Sequence, residues 1–465
     1  MTIVLGANIP CFSQQYITVQ QVIERSLKNN VQFKISKLNE EISLTNLQQS
    51  KYALFPTLTS SPQTSFNVGR SIDLATNQYT TERKVNYNQS INLQFLIFAG
   101  KQKINQIKKN KLLFEADHNN TEKNKDELLL NVVTTFIELL SDQDLMTAVD
   151  AQVELQMLNI ENVKKNISVG YKVQADLIAA ESQLANILYN RSEIQNQLNI
   201  AVLNLKQFME SDSNEELIAI SPYSKADSIQ ILHYNVEEVY KKALQINPSI
   251  KVAELQKGAA YQNILIAKGN YYPKLSLFDA VGTSYSSGRQ LLDHYETKGV
   301  DEIGVVTGLN FPVIAPHREE ILKNYSFNKQ ILDNLNQTFG FSLQLTIFNN
   351  FNNRIAVKQA KVNFENYDLQ LEQAKKDLKK IIAQAFADYT AAINKHKYAT
   401  LAYASDKEVL KVTEQKFKMG ANNFWDYNNA LVNVNKAEFD MIAAKYDMLF
   451  KSKVIDYYLG NSISF

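Results

Sequence analysis

Residues 175–208 read ADLIAAESQLANILYNRSEIQNQLNIAVLNLKQF. Leu177, Ala180, Leu184, Ile187, Arg191, Ile194, Leu198, Ala201, Leu205 and Phe208 recur at alternating steps of three and four, the spacing of a heptad seam. Arg191 is the single polar member of that seam. Moved on by 250 positions, the seam falls on Tyr427, Ala430, Val434, Ala437, Met441, Ala444, Met448, Lys451, Ile455 and Tyr458, where Lys451 is the one interruption. The same shift lays Phe98 on Phe348, Leu128 on Leu378, Phe136 on Phe386 and Gly170 on Gly420. A repeat at a fixed offset marks a structural unit.

Working outward, residues 102–166 contain neither Pro nor Gly. These 65 residues predict one helix of about 98 Å at 1.5 Å per residue. Each copy therefore reads as a very long helix, a turn at Gly170 or Gly420, and a shorter helix returning antiparallel beside it. Upstream, Tyr16 to about Tyr52 is a further helical stretch, and its copy lies 217 positions on, with Val19 on Val236, Leu27 on Leu244, Asn30 on Asn247 and Pro56 on Pro273. The matched prolines end these helices. Two repeats result, 16–210 and 233–460, joined by a polar linker at 211–232 and followed by a tail at 461–465.

Between each proline and each long helix the period changes to two. Residues 90–95 and 339–347 alternate polar and apolar, 275–285 less regularly, and the stretch after Pro56, with Pro62 inside it, least of all. Two strands per repeat, four per chain, are expected. Four strands with one apolar face cannot cover that face or their own edges. Either they form hairpins packed on their own helices, or several chains close one barrel in a bilayer, apolar side outward. The second repeat carries 33 extra residues around 286–338, expected to be either an elaborated extracellular loop or a disordered insertion.

Residues 1–13 read as the end of a secretory signal peptide without its basic start, and Cys11, the only cysteine, is either removed with it or lipidated. A chain without further cysteine forms no disulfide. Lys and Arg number 49 against 48 Asp and Glu, which gives no basis for nucleic-acid binding. No run of 18 apolar residues predicts a transmembrane helix. The histidines at 118, 233, 294, 317 and 396 are scattered, and no phosphate loop or GxSxG occurs, so no catalytic residue, metal site or cofactor is expected.

The duplicated order of helix, strand pair, long helix, glycine turn and return helix resembles the TolC family of outer-membrane efflux proteins. Leu96-Ile97-Phe98-Ala99-Gly100 and Leu345-Thr346-Ile347-Phe348-Asn349-Asn350 are similar to its strand-to-helix signature, with Asn350 where Gly is usual. Residues 170–177 and 418–427 are similar to its helix–helix turn, in which Asp176 and Asp426 follow the glycine by six positions. The resemblance implies a mainly α protein with a small β part: a homotrimer whose long helices form a tube across the periplasm and whose four strands per chain contribute to a 12-stranded barrel in outer-membrane lipid. It implies a passive exit duct engaged by a periplasmic adaptor and an inner-membrane pump of the RND or ABC type. A soluble periplasmic coiled-coil scaffold or adaptor is the alternative.

The turns would then lie at the periplasmic tip, with Val169, Gly170, Tyr171, Met419, Gly420 and Ala421 docking the adaptor. Asp176 and Asp426 are placed either to cap the return helices or, for Asp426, to ring the closed pore. Asn422 and Asn429 stand where the family places a basic residue and a second acid. An asparagine network, or Lys172 reaching Asp426, would replace that salt bridge. Phe424 and Trp425 are either groove packing or adaptor contacts.

Overall fold

The computed structural model describes residues 14–73, 78–211, 216–221 and 235–461. The expected signal segment 1–13 with Cys11, most of the linker and residues 462–465 lie outside them. The chain divides into two compact units: Met1–Leu47, Lys109–Tyr261 and Val362–Phe465 form a helical unit, and Gln48–Lys108 with Gln262–Lys361 form a unit that carries the main sheet.

The helical unit is built on α3 (Gln102–Ser168) and α8 (Asn352–Lys418), each 67 residues long, and on the return helices α4 (Gln174–Met209) and α9 (Phe424–Leu459), each 36 residues long. The seam read from residues 175–208 is the buried face of α4: Ala180, Ile187, Ile194, Ala201 and Leu205 are all buried. In α9 the corresponding face buries Ala430, Val434, Ala437, Ala444, Met448 and Ile455. The two polar interruptions are resolved at half-exposed positions by ion pairs to the neighbouring long helix, Arg191 with Asp150 at 2.6 Å and Lys451 with Asp388 at 3.9 Å. Such pairs add little stability on their own but allow a long cation to sit in the seam.

The stretch expected as one helix from Tyr16 is three elements. β1 (Gln14–Ile17) precedes α1 (Val19–Asn29) and α2 (Val31–Tyr52). Thr18 and Gln21 close a capping box that starts α1. Asn30 ends it: at φ −53 and ψ 123 its backbone leaves the helix, while its side chain accepts from Phe33 N and starts α2. Asn247 divides α5 (Val236–Ile246) from α6 (Pro248–Gly269) in the same way, its carboxamide accepting from Ser249 N at 2.9 Å, with Pro248 at a first helical position that needs no N–H donor.

The linker read as merely polar holds β4 (Glu216–Ala219), which pairs parallel with β1 from Gln14 opposite Glu216 to Ile17 opposite Ala219. Its apolar side explains why: Ile17 and Leu217 enter the main core with Phe136, Leu139, Leu205 and Met209. A second core repeats the arrangement, packing Val239, Ala243 and Ile250 against Leu378 and Ile382.

In the other unit, β2 (Thr57–Asp73), β3 (Gln78–Ala99), β5 (Lys274–Ser286) and β8 (Asn336–Gln344) form one antiparallel sheet in the order β2-β3-β5-β8. Pro62 lies in β2, an edge strand, where a missing N–H is tolerated. The final expected strand is shifted: β8 ends at Gln344, so Leu345-Thr346-Ile347 is not strand. Residues opposite one another share a face. The register thus puts Leu58, Phe66, Val68, Ile91, Leu93, Phe95, Leu277, Val281, Phe339, Phe341 and Leu343 on one side. Thr59, Ser61, Gln63, Asn88, Ser90, Asn92, Gln94, Ser276 and Ser342 share the other.

The stretch 286–338, expected as an elaborated loop or a disordered insertion, carries regular structure. It holds the hairpin of β6 (Gln290–Val305) and β7 (Pro312–Asn324) and the short helix α7 (Phe327–Asp333). Register shifts at Leu292/His294, Thr297/Val300 and Glu302/Gly304 break the period of two, which hid the hairpin in the sequence. Cross-strand pairs Lys298–Glu319 at 2.6 Å and Lys323–Asp293 at 2.7 Å brace it. At its base, fully buried Gln330 accepts from Ser286 N and donates to the Ser286 and Tyr325 carbonyls.

Candidate functional site: the paired hairpin turns

Both turns close identically. Gly170 N donates to Ile167 O at 3.0 Å and Tyr171 N to Asn166 O at 2.9 Å; Gly420 N donates to Phe417 O at 3.0 Å and Ala421 N to Lys416 O at 2.8 Å. This is a Schellman end, and it sets the glycine in the left-handed region, at φ 79 and φ 75. Only Gly adopts that backbone without a Cβ penalty.

The return helices start differently from the capping expected of the two aspartates. The cap positions belong to Val173 and Asn423. Asn423 Oδ1 accepts from Asp426 N at 2.9 Å. Asp176 sits one turn in, where its Oδ2 accepts from Val173 N at 3.4 Å. Both carboxylates occupy the first turn, where they favour the positive end of the helix dipole.

The two hairpin ends pack together through Ile160, Val163, Ala180 and Phe424, flanked by Ile167, Leu177, Phe417 and Tyr427. Lys172 does not extend to Asp426 as an ion-pair partner. Its Nζ lies 4.6 Å from the Phe417 ring centroid and 4.7 Å from that of Phe424. Burial holds the Lys172 ammonium below the usual lysine range, and the nearby Asp176 carboxylate partly restores it. Phe417 stacks on Tyr427 at 5.3 Å and 11°.

Of the asparagines, Asn422 is half-buried and Asn429 exposed, whereas the adjacent Asn428 is buried in the packed face. Phe424 and Trp425 part company: Phe424 is packed, while Trp425 is 66% exposed. The turn residues Val169, Tyr171 and Met419 are among the most exposed apolar side chains, at 63%, 84% and 75%. Phe417 escaped sequence reading, although its place three residues before the turn glycine, at a carbonyl that the Schellman end uses, was a usable signal.

Among the described residues no helix is long and apolar enough to cross a membrane, and no cluster of acidic, histidine or cysteine side chains could hold a metal ion. What the chain offers a bilayer is a sheet with one apolar face.

Residues 326–461 match the family described as "Outer membrane efflux protein". The chain is 22% identical to the outer membrane protein TolC of Escherichia coli K12 over 468 residues, covering 99% of this chain and 86% of that protein. It is also 22% identical to TolC of Salmonella enteritidis over 342 residues, 72% of this chain, and spans only 61% of that protein's length. Among solved structures, the transmembrane channel CusC superposes with a TM-score of 0.77 at 15% identity, covering 96% of this chain and 92% of that one. The outer-membrane channel OprN gives 0.77 at 16%, covering 96% and 90%. The chain is thus similar to outer-membrane efflux proteins over residues 326–461 and to TolC at 22% identity over nearly its whole length. The relatives and solved structures that it matches are described as outer-membrane proteins and channels, and the likeness to the solved structures shows the fold.

Proposed function

We propose that three copies of this chain form a passive exit duct through the outer membrane. A periplasmic adaptor and an inner-membrane pump, of the RND or ABC type, open it. The observation that carries the reading is the four-stranded sheet. Its edge strands β2 and β8 each leave one side without a strand partner, and one face is rich in exposed apolar side chains, with Phe66 76%, Phe339 76% and Phe341 69% exposed, although Gln89, Asp279 and Gln337 share it. Unpaired edges and an uncovered apolar face are unstable in water. Copies of the same chain joined edge to edge would satisfy both, facing Phe66, Phe339 and Phe341 to lipid and the Ser, Thr, Asn and Gln face to a water-filled lumen. Three copies supply twelve strands. A soluble coiled-coil scaffold leaves that apolar face unexplained.

The exposed turns Val169-Gly170-Tyr171 and Met419-Gly420-Ala421 suit docking to the adaptor. Exposed Asp426, repeated by threefold symmetry, suits a ring that favours cations at the closed pore. Transport energy comes from the pump. The test is detergent extraction followed by mass measurement and single-channel recording. A trimer whose blockade by trivalent cations weakens in Asp426→Asn supports the reading; a chain that stays soluble or monomeric without detergent overturns it.

A further inference from the structure

Four junctions join helix to strand: α2 to β2, β3 to α3, α6 to β5 and β8 to α8. Residues 48–56, 97–108, 262–276 and 344–361, which make them, contain nine Lys or Arg and no Asp or Glu, in a chain where the two signs balance at 49 and 48. We propose that these junctions form a collar that binds anionic phospholipid of the periplasmic leaflet. Lys51, Lys101, Lys268, Lys274 and Arg354 meet the phosphates, and the aromatic rings among them meet the lipid just below. The collar deepens the duct reading and rests on it for the place of the sheet in a bilayer.

Hydrogen bonds hold the four junctions in one band. Lys103 Nζ, after β3, donates to Ala53 O, before β2. Gln102 Nε2 donates to Asn270 Oδ1 at 2.6 Å, and Asn353 Nδ2 donates to Asn270 O at 3.1 Å. Lys274 pairs with Ala99 on one side and Gln344 on the other. The five cations of the collar are exposed, and none has an ion-pair partner among the described residues.

Helix electrostatics does not account for them. Lys51 and Lys268 lie in the last turns of α2 and α6, where a cation suits the dipole. Lys101 immediately precedes α3 and Arg354 lies in the first turn of α8, where a cation is disfavoured, and neither first turn holds an acid. Lys101 also has a left-handed backbone, at φ 61, as does Phe351, its counterpart 250 positions on, at φ 60. Glycine would adopt that backbone without penalty, yet a cation and a ring stand there.

The rings identify the partner as lipid. Tyr52, Phe55, Tyr271, Tyr272, Phe348 and Phe351 are 56% to 67% exposed. Phe55 and Tyr272 hold matching places before Pro56 and Pro273. Amphipathic and aromatic side chains of this kind gather at the headgroup level of a bilayer. The apolar face of the sheet begins directly beyond them, with Leu58, Phe95 and Leu343. Cations beside that level attract a lipid with a net negative headgroup over a zwitterionic one. A free phosphate or a soluble acidic protein would engage the cations and leave the rings in water.

The test is native mass spectrometry of the full-length protein in detergent, titrated with phosphatidylglycerol or phosphatidylcholine of the same chain length. Wild type binds phosphatidylglycerol about tenfold more tightly, and the preference shrinks as ionic strength rises. Glycerol phosphate, a headgroup without acyl chains, does not compete. Lys51→Gln, Lys268→Gln and Arg354→Gln together weaken phosphatidylglycerol binding about tenfold and leave phosphatidylcholine unchanged. Lys376→Gln, Lys380→Gln and Lys397→Gln, which remove the same charge from exposed positions of α8, stay near wild type. Lys101→Gly removes a cation and relieves the left-handed backbone, so it keeps the test open if the triple variant fails to fold; it weakens phosphatidylglycerol binding about threefold.

Equal binding of the two lipids by wild type, or collar variants no weaker than the α8 control, would overturn the collar. Planar-bilayer recording separates this from the duct reading. A chain that inserts and conducts but shows no lipid preference loses the collar and keeps the duct. A chain that enters neither lipid overturns the duct reading, and the collar with it.

Discussion

Asp142→Asn should stabilise the helical unit at pH 8 and leave it unchanged at pH 4. Asp142 lies one turn after Glu138 on α3, in a groove of about 510 Å³ lined also by Thr134, Asn204, Tyr446 and Asp447. Burial and the like charge of Glu138 push its carboxyl from 3.8 up to about 6. A carboxyl raised on folding stabilises the native state while it is protonated, fully below its unfolded value of 3.8, and that contribution is lost as pH rises through about 6. At pH 8 the folded protein must ionise a half-buried group beside another carboxylate; the isosteric amide never does. About two pH units at 1.36 kcal/mol each set a ceiling of about 3 kcal/mol. The groove is open to water, and screening there reduces the expected gain to about 1 kcal/mol. Urea unfolding followed by helical circular dichroism, at both pH values, measures it. Equal stabilisation at pH 4 and pH 8, or none at pH 8, would refute the electrostatic account.

The remaining predictions concern packing. Leu205→Ala, at a fully buried seam position, should cost about 2–5 kcal/mol, whereas Gln207→Ala on the exposed side should stay within about 0.5 kcal/mol; urea midpoints separate them. Gly100→Ala should be far more damaging than Gly420→Ala. A Cβ on Gly100 would lie 2.4 Å from Gly269 O, at φ 57, while a Cβ on Gly420 meets nothing within 4 Å. The Gly420 variant then carries only the left-handed backbone penalty of about 1–2 kcal/mol. Protease resistance of the membrane-extracted protein reads both, and a Gly100 variant as resistant as wild type would contradict the close approach of α6 to the end of β3.

Asp142 and Lys172 also show where reading a sequence stops. Each is an ordinary polar residue on a helix or in a turn, and nothing local marks it. Their character comes from Glu138 and a groove in one case, and from rings 245 and 252 positions away in the other. By contrast, the turn glycines were legible, because a left-handed helix end restricts the residue type on the spot.

The sequence by itself determined the long helices, their offset of 250 residues, the buried faces of α4 and α9, and the positions of both turns. These follow from spacing along one chain: no helix breaker between Gln102 and Ser168, and apolar residues every three or four positions. Only the tertiary structure decided that β1 pairs with β4, that 286–338 is a braced hairpin, and that Lys172 faces two rings rather than a carboxylate. The physical reason is that a period records which face is buried, but not what is buried against it. Strand partners, bulges and a cation's choice of neighbour depend on distances between segments far apart in the chain, which folding alone brings within reach.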